Sequence, residues 1–550
     1  MRILAGAIFL GIALFVFITP MLRLVWMSFR TEAGLGLGNY CKLMAQPRTS
    51  RAIVNTVVVA VGATLISVFL GAGSSFLVAC TDVRRKRLVE MLTLAPFVIP
   101  SYITTLSWSS FLSRRGWVNR SLTVLGLPML DVFSMGGIIL VLGICNAPVV
   151  YLNTMHMLRR VPRELEWASL ASGRGVWETF FRISLPQVMP ALIAGGVLAF
   201  LAAIDNFSVP AFLGIPAGIP VLSTYIYENI IGFGPSSFNL AAALSVMLSV
   251  IAITGSFLQG RLIKKTSGME SIAEDRSVRV PLGCARGWVE GGAIFFLLTL
   301  TIVPLLAMVS SAFLPNYKNL ALENITLKNF AFVFTNRGVR QAVVCSLQLA
   351  SLTVLICLIA GTAIAWLRVR RGSAVIRIVE VSSMLTYAMP GIVLALSMIF
   401  HWTMFPGVYG TLRILLIAYV TRYLILQIKG SAAAVTAVNV SLEEAALVYG
   451  GGMVRVWVQV ILPLIARSAL ASAFMIFAYS FTELTLSSIL ASAGARTVGL
   501  TVFSLQQAGD THLSAAMSTV IVFAVLIFYL LSIVLRALGK RPRRKGAGEP

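Results

Sequence analysis

Runs of about twenty apolar residues, separated by short charged loops, recur along almost the whole 550-residue chain. A helix needs that length to cross the hydrocarbon layer of a membrane. The runs fall near 3–27, 53–80, 91–112, 135–157, 187–210, 238–260, 290–314, 342–367, 378–401, 410–428, 464–488 and 514–536. Lipid offers the backbone no hydrogen-bond partners, so each run is expected as a helix. The composition agrees. Hydrophobic residues make up 58% of the chain and charged residues 12%, whereas about a quarter charge is usual in soluble domains. The expected fold class is all-α, a polytopic membrane protein of about twelve transmembrane helices. The run after Met1–Arg2 is too long for a signal-peptide core and lacks a small-residue cleavage site, so it reads as a retained first helix.

The net charge of +24 comes from 44 Lys and Arg against 20 Asp and Glu. A nucleic-acid partner would draw on a basic surface, but here the cations sit between the apolar runs. They cluster at Arg84-Arg85-Lys86-Arg87, at Arg159-Arg160, at Arg368, Arg370 and Arg371, and in the tail from Lys540 to Lys545. Loops retained in the cytoplasm carry such clusters. With the N-terminus inside, inside segments hold 27 Lys and Arg and outside loops 12. Both termini are therefore expected in the cytoplasm, with membrane lipid as partner and no nucleic acid. The six cysteines and three histidines show no metal-ligand spacing. No metal site and no catalytic residue is expected.

The two halves are copies. Gly71 and Pro100 match Gly361 and Pro390 at an offset of 290, while Gly173 and Pro186 match Gly450 and Pro463 at 277. Six spans per half make the copies parallel. The divisions are 1–260, a polar linker at 261–289, 290–538, and a basic tail at 539–550.

Each half carries one long loop between its fourth and fifth spans, E-L-E-W-A-S-L-A-S-G-R-G-V-W-E-T-F-F-R-I-S-L-P at 164–186 and S-L-E-E-A-A-L-V-Y-G-G-G-M-V-R-V-W-V-Q-V-I-L-P at 441–463. Each reads as a short amphipathic helix, a glycine turn, a second segment and Leu-Pro at the membrane entry. Ser441 is placed to cap its helix with Glu444 reaching back. Gly173 and Gly450 permit a positive φ, and Pro186 and Pro463 suit a helix start. A helix lying on the membrane surface is the plainer reading, against which two copies at one offset weigh.

These residues resemble the EAA loop of type I ABC-importer permeases. Glu444, Ala445, Ala446, Gly450 and Pro463 match its pattern, with Glu443 preceding. In the first half Ala168, Gly173 and Pro186 match, Trp167 stands at the Glu444 position, Ser169 at the second Ala, and Glu166 matches Glu443. Asn55-Thr56, Ala95–Pro100, Tyr387–Ala395, Tyr409–Leu412 and Phe481–Leu486 further resemble the fused ferric-iron permeases, relatives of thiamine, 2-aminoethylphosphonate and polyamine permeases. The resemblance implies that both loops couple to a homodimeric ABC ATPase, with Glu166 in place of the missing Glu in the first. It implies a bacterial inner membrane, a periplasmic or lipid-anchored substrate-binding protein outside, and ferric iron as cargo, with 2-aminoethylphosphonate, a polyamine or thiamine as the alternatives. This chain has no Walker A loop, Gly539-Lys540 being followed by Arg541. ATP and Mg are expected on the partner, with no cofactor on this chain.

Polar residues within spans are costly and mark cavities or partners. Asp205, Asn206 and Glu483, with Pro100, Pro390 and Tyr387, are candidates for the translocation path, a buried structural pairing being the alternative. Arg413 and Arg422 are expected to snorkel or to pair with acids on neighbouring helices. An ion-coupled secondary transporter, also built as a six-plus-six repeat, is the rival class. It would need more membrane carboxylates or histidines than this chain has.

Overall fold

A computed structural model describes residues 2–32, 34–114, 116–232, 234–266, 274–314, 325–492 and 494–538. The basic tail expected at 539–550 and part of the 261–289 linker lie outside the described residues. Nearly everything described is helix, with one two-residue hairpin, Arg30–Thr31 against Gly34–Leu35. Among the described residues nine helices are long and apolar enough to cross a membrane, and three bent pairs also qualify when each pair is taken together.

Two of those pairs are the third expected span and its copy. Lys86–Val98 and Ser101–Phe111 meet at 106°, and Ala374–Ala388 and Gly391–Trp402 at 115°. Pro100 and Pro390 sit at the breaks, where a proline removes a donor and clashes with the preceding turn. The third pair, Pro210–Ala217 and Leu222–Gly232 at 75°, occupies a stretch expected as an external loop. The tenth span is the 25-residue helix Leu412–Thr436, which carries Arg413 and Arg422 and falls outside the nine.

Close crossings hold each half together. A Cβ on Gly71 would lie 2.7 Å from the Ala147 carbonyl and 2.8 Å from the Tyr151 nitrogen; one on Gly361 would lie 2.8 Å from Gln427 Cβ and 3.4 Å from the Ile428 nitrogen. Tyr151 and Ile428 are themselves 277 apart, so the repeat extends to the contact. Small residues let helices approach where lipid supplies no hydrophobic drive. Ser67 and Ser75 add hydroxyl bonds to the Gly143 and Tyr151 carbonyls, both 2.9 Å. The constant spacing shows Pro47–Cys80 and Met135–Leu158 running parallel, so both end at one face.

The halves interlock. The first helix, Arg2 to Phe29 with a π-helical turn at Leu14–Ile18, packs on the second half, with Phe15 among His401, Trp402 and Phe405. Helix Arg286–Ala312, the first of the second half, packs on Ser101–Phe111, where the Ser107 hydroxyl meets Met308 sulfur at 3.5 Å. Leu65, Phe69 and Phe295 stand exposed on the outside, where lipid tails would cover them.

Candidate functional site

The two loops share one architecture on one face. Helix Arg163–Ala171 leads through Gly173 (φ 88°) to Val176–Thr179, a π-helical turn Phe180–Ser184 and helix Leu185–Asp205. Helix Val440–Val448 leads through Gly450 (φ 79°) to Met453–Val456, a π-helical turn Trp457–Ile461 and helix Leu462–Phe481. Pro186 and Pro463 fall in the first turn of the final helix. The wider turn before each fits a proline that leaves a carbonyl of the preceding turn without its usual donor.

Helix Val440–Val448 is capped by Asn439, whose side chain accepts from the Ser441 N–H at 3.2 Å. The expected box of Ser441 with Glu444 does not form. The helix begins two residues earlier, so Ser441 already lies inside its first turn.

Each loop divides into a buried anchor and an exposed face. Glu443 is buried, accepting from Arg370 Nε (2.7 Å) and Trp366 Nε1 (3.4 Å). Glu166 is buried, accepting from Arg163 (2.9 Å), Ser184 (2.6 Å) and Arg279 (2.6 Å). Both carboxylates face the bundle, so Glu166 does not stand in for the outward-facing Glu444. Exposed instead are Leu165, Trp167, Ala168 and Leu170 in the first loop, and Leu442, Glu444, Ala445, Val448 and Tyr449 in the second, Tyr449 at 90%. An exposed apolar patch of this kind marks an interaction surface.

The described part of the linker from Asp275 to Leu282 lies against the same face. Leu282 N–H donates to Asp82 Oδ1 (2.9 Å), which with nearby Arg286 holds the Asp82 carboxyl below its usual range. Burial would raise Asp275, but the Ser277 N–H and hydroxyl, both at 2.8 Å, outweigh it and hold that carboxyl low.

Where the halves meet lies a polar cluster. Asp205 ends helix Leu185–Asp205; its Oδ2 accepts from Arg422 Nη2 (2.7 Å) and its Oδ1 from the Gly391 N–H (2.6 Å). Pro390 breaks the helix at that point and frees the Gly391 donor. Arg422 also reaches the Met389 carbonyl at 3.3 Å. Tyr423 donates to Glu483, and Tyr387 lies within electrostatic reach of Arg422 and Asp205. Asn206 accepts from Val209 N–H (3.0 Å), and its repeat mate Glu483 from Leu486 N–H (3.0 Å).

Helices end at Asp205 and Phe481, so Asn206 and Glu483 occupy breaks and not the late turns expected. Arg422 pairs with an acid as expected, whereas Arg413 donates to the Gly407 carbonyl, at 3.2 Å. Pro100 lies at its own break, at the start of helix Ser101–Phe111. Arg279, Arg370 and Tyr423 were missed by sequence reasoning. Tyr423 adjoins Arg422, which is the one signal that pointed there. Among the described residues no three His, Cys, Asp or Glu side chains gather as a metal site.

The chain matches the family of binding-protein-dependent transport system inner membrane components over residues 68–268 and again over 354–544. The ferric transport system permease protein FbpB of Actinobacillus pleuropneumoniae is 22% identical over 501 residues, covering 89% of this chain and 72% of that protein. The Fe(3+)-transport system permease protein FbpB 2 of Haemophilus influenzae is 22% identical over 489 residues, 88% of this chain and 89% of that one. A permease named for 2-aminoethylphosphonate transport, from Salmonella typhimurium, is 25% identical over 261 residues, 46% of this chain and 90% of its own length. Two family matches in tandem, on a bundle whose halves repeat helix by helix and loop by loop, make this chain a member of that family, a multi-pass permease of an ABC importer.

Proposed function

We propose that this permease imports ferric iron, delivered from outside by a substrate-binding protein and driven by an ATPase dimer docked on the two loops. The observation that carries the docking is the pair of matched loops on one face, each with a buried carboxylate as anchor and apolar residues turned outward. That face is the cytoplasmic one, and both termini lie on it. Each ATPase protomer receives one loop. Closure of the dimer on ATP moves the loops, and hydrolysis lets them return. Such a cycle works only if ATP and substrate favour different states of the bundle.

Iron is supported by two relatives named for ferric transport that span nearly the whole chain. Chemistry supports it too. Glu483 and Tyr423, with the partly exposed Asp205 and the exposed Tyr387, offer hard oxygen atoms where the halves meet, suited to a hard cation. The test is uptake of radiolabelled ferric iron by cells that express this permease with its ATPase and binding protein. Uptake should be saturable, ATP-dependent and lost with Glu444→Lys. No iron uptake, with accumulation of labelled 2-aminoethylphosphonate instead, would reassign the cargo and leave the docking intact.

A further inference from the structure

The buried carboxylates of the two loops are held by arginines that come from unrelated places in the chain. In the second half Arg370, last residue of helix Arg337–Arg370, donates to Glu443 (2.7 Å) and to the carbonyls of Val438 (2.8 Å) and Val435 (3.2 Å). The 290 offset puts Cys80, last residue of helix Pro47–Cys80, at the Arg370 position. The first half therefore lacks that arginine. Arg279 of the linker takes its place, donating to Glu166 (2.6 Å) and to the Val161 carbonyl (3.0 Å). Under the 277 offset, Glu166 matches Glu443 and Val161 matches Val438. Two different arginines thus make the same two bonds to equivalent positions.

The backbone fixes Arg279 there. The N–H groups of Arg279 and Val280 both donate to the Cys80 carbonyl (2.8 and 2.9 Å), and Val280 bridges to Thr81. Upstream, Asp275 N–H donates to the Arg159 carbonyl (2.7 Å), and its carboxylate lies 3.4 Å from Arg163 Nε. The Arg279 side chain is 3% exposed, and the Cys80 thiol lies within electrostatic reach of both Arg279 and Glu166.

We propose that residues 274–282 form a strap, and that Arg279 on it is a positioning residue for the first docking helix, replacing an arginine the first half does not have. The proposal rests on the docking reading above. It makes the two loops unequal. The strap runs straight into helix Arg286–Ala312, so movement of the first loop is passed to the second half as well, whereas Glu443 is tied only within its own half.

The test uses the full chain purified with its ATPase subunit and supplied with Mg-ATP. Arg279→Gln should lower hydrolysis by about tenfold or more, because it leaves a buried carboxylate short of its partner. Adding Cys80→Arg should restore it to within about twofold of the parent, since neighbouring sites couple. General structural damage would not be repaired by a second buried change. In the chain without ATPase, alkylation of Cys80 by a maleimide should rise in Arg279→Gln. Where that variant is not recovered from membranes, Arg279→Lys takes its place, with a smaller loss and the same rescue expected. Parent-level hydrolysis in the single variant, or a double variant no better than the single, overturns the proposal. If Glu444→Lys and Gly450→Pro leave ATPase retention unchanged, the docking reading fails separately. Cys80 alkylation then decides the strap alone, and an unchanged rate removes it.

Discussion

A carboxylate placed under a loop at the edge of a membrane holds only while its arginine is there. Arg370→Ala would leave Glu443 buried with one weak donor, a loss on the order of 3–5 kcal/mol when a buried pair is broken from one side. Arg370→Met with Glu443→Leu removes both charges and should cost much less. Apparent melting temperatures of the two variants in detergent check this, and equal losses would refute it. The same reasoning explains which residues could be read in advance. Gly71 and Gly361 were visible because a missing side chain leaves its mark in the sequence itself. The roles of Glu166 and Glu443 were not, because whether a loop carboxylate points out or in depends on an arginine far along the chain. Asn439 was passed over for Ser441, both good capping residues two positions apart, and the choice is made by where the helix starts.

At the scale of elements, the π-helical turns at Phe180–Ser184 and Trp457–Ile461 set the angle at which each loop leaves its span. Deleting Val458 would restore α-helical pairing and turn everything N-terminal to it by about 100°. ATPase retention should fall while the chain still inserts; full retention would mean that the orientation of the loop is immaterial. The linker gives a second prediction. Asp82 and Asp275 have folded-state values below the unfolded value of 3.8. Their contribution is therefore complete at neutral pH and is lost as pH falls below 3.8 and through the folded value. The gap in apparent melting temperature between parent and Asp82→Asn should hold from pH 7 down to about the unfolded value of 3.8 and shrink only as pH falls further. Spans and loops were legible because apolar length and glycine turns are local signals. The strap was not, since its residues read as ordinary polar linker until Cys80 and Thr81 are seen beside them.

For the whole molecule, the first helix of each half lies on the other half. Cutting the chain within 267–273 should therefore leave two fragments that co-elute in detergent, and separate elution would show that the linker alone holds them. The sequence showed the parallel repeat plainly through its offsets but held no sign of this exchange, because lipid-facing and partner-facing surfaces are equally apolar. The Asp205–Arg422 contact belongs to the same scale, for its carboxylate comes from one half and its guanidinium from the other. Any movement that parts the halves there must draw a guanidinium buried in one of them away from a carboxylate that the other leaves partly open to solvent.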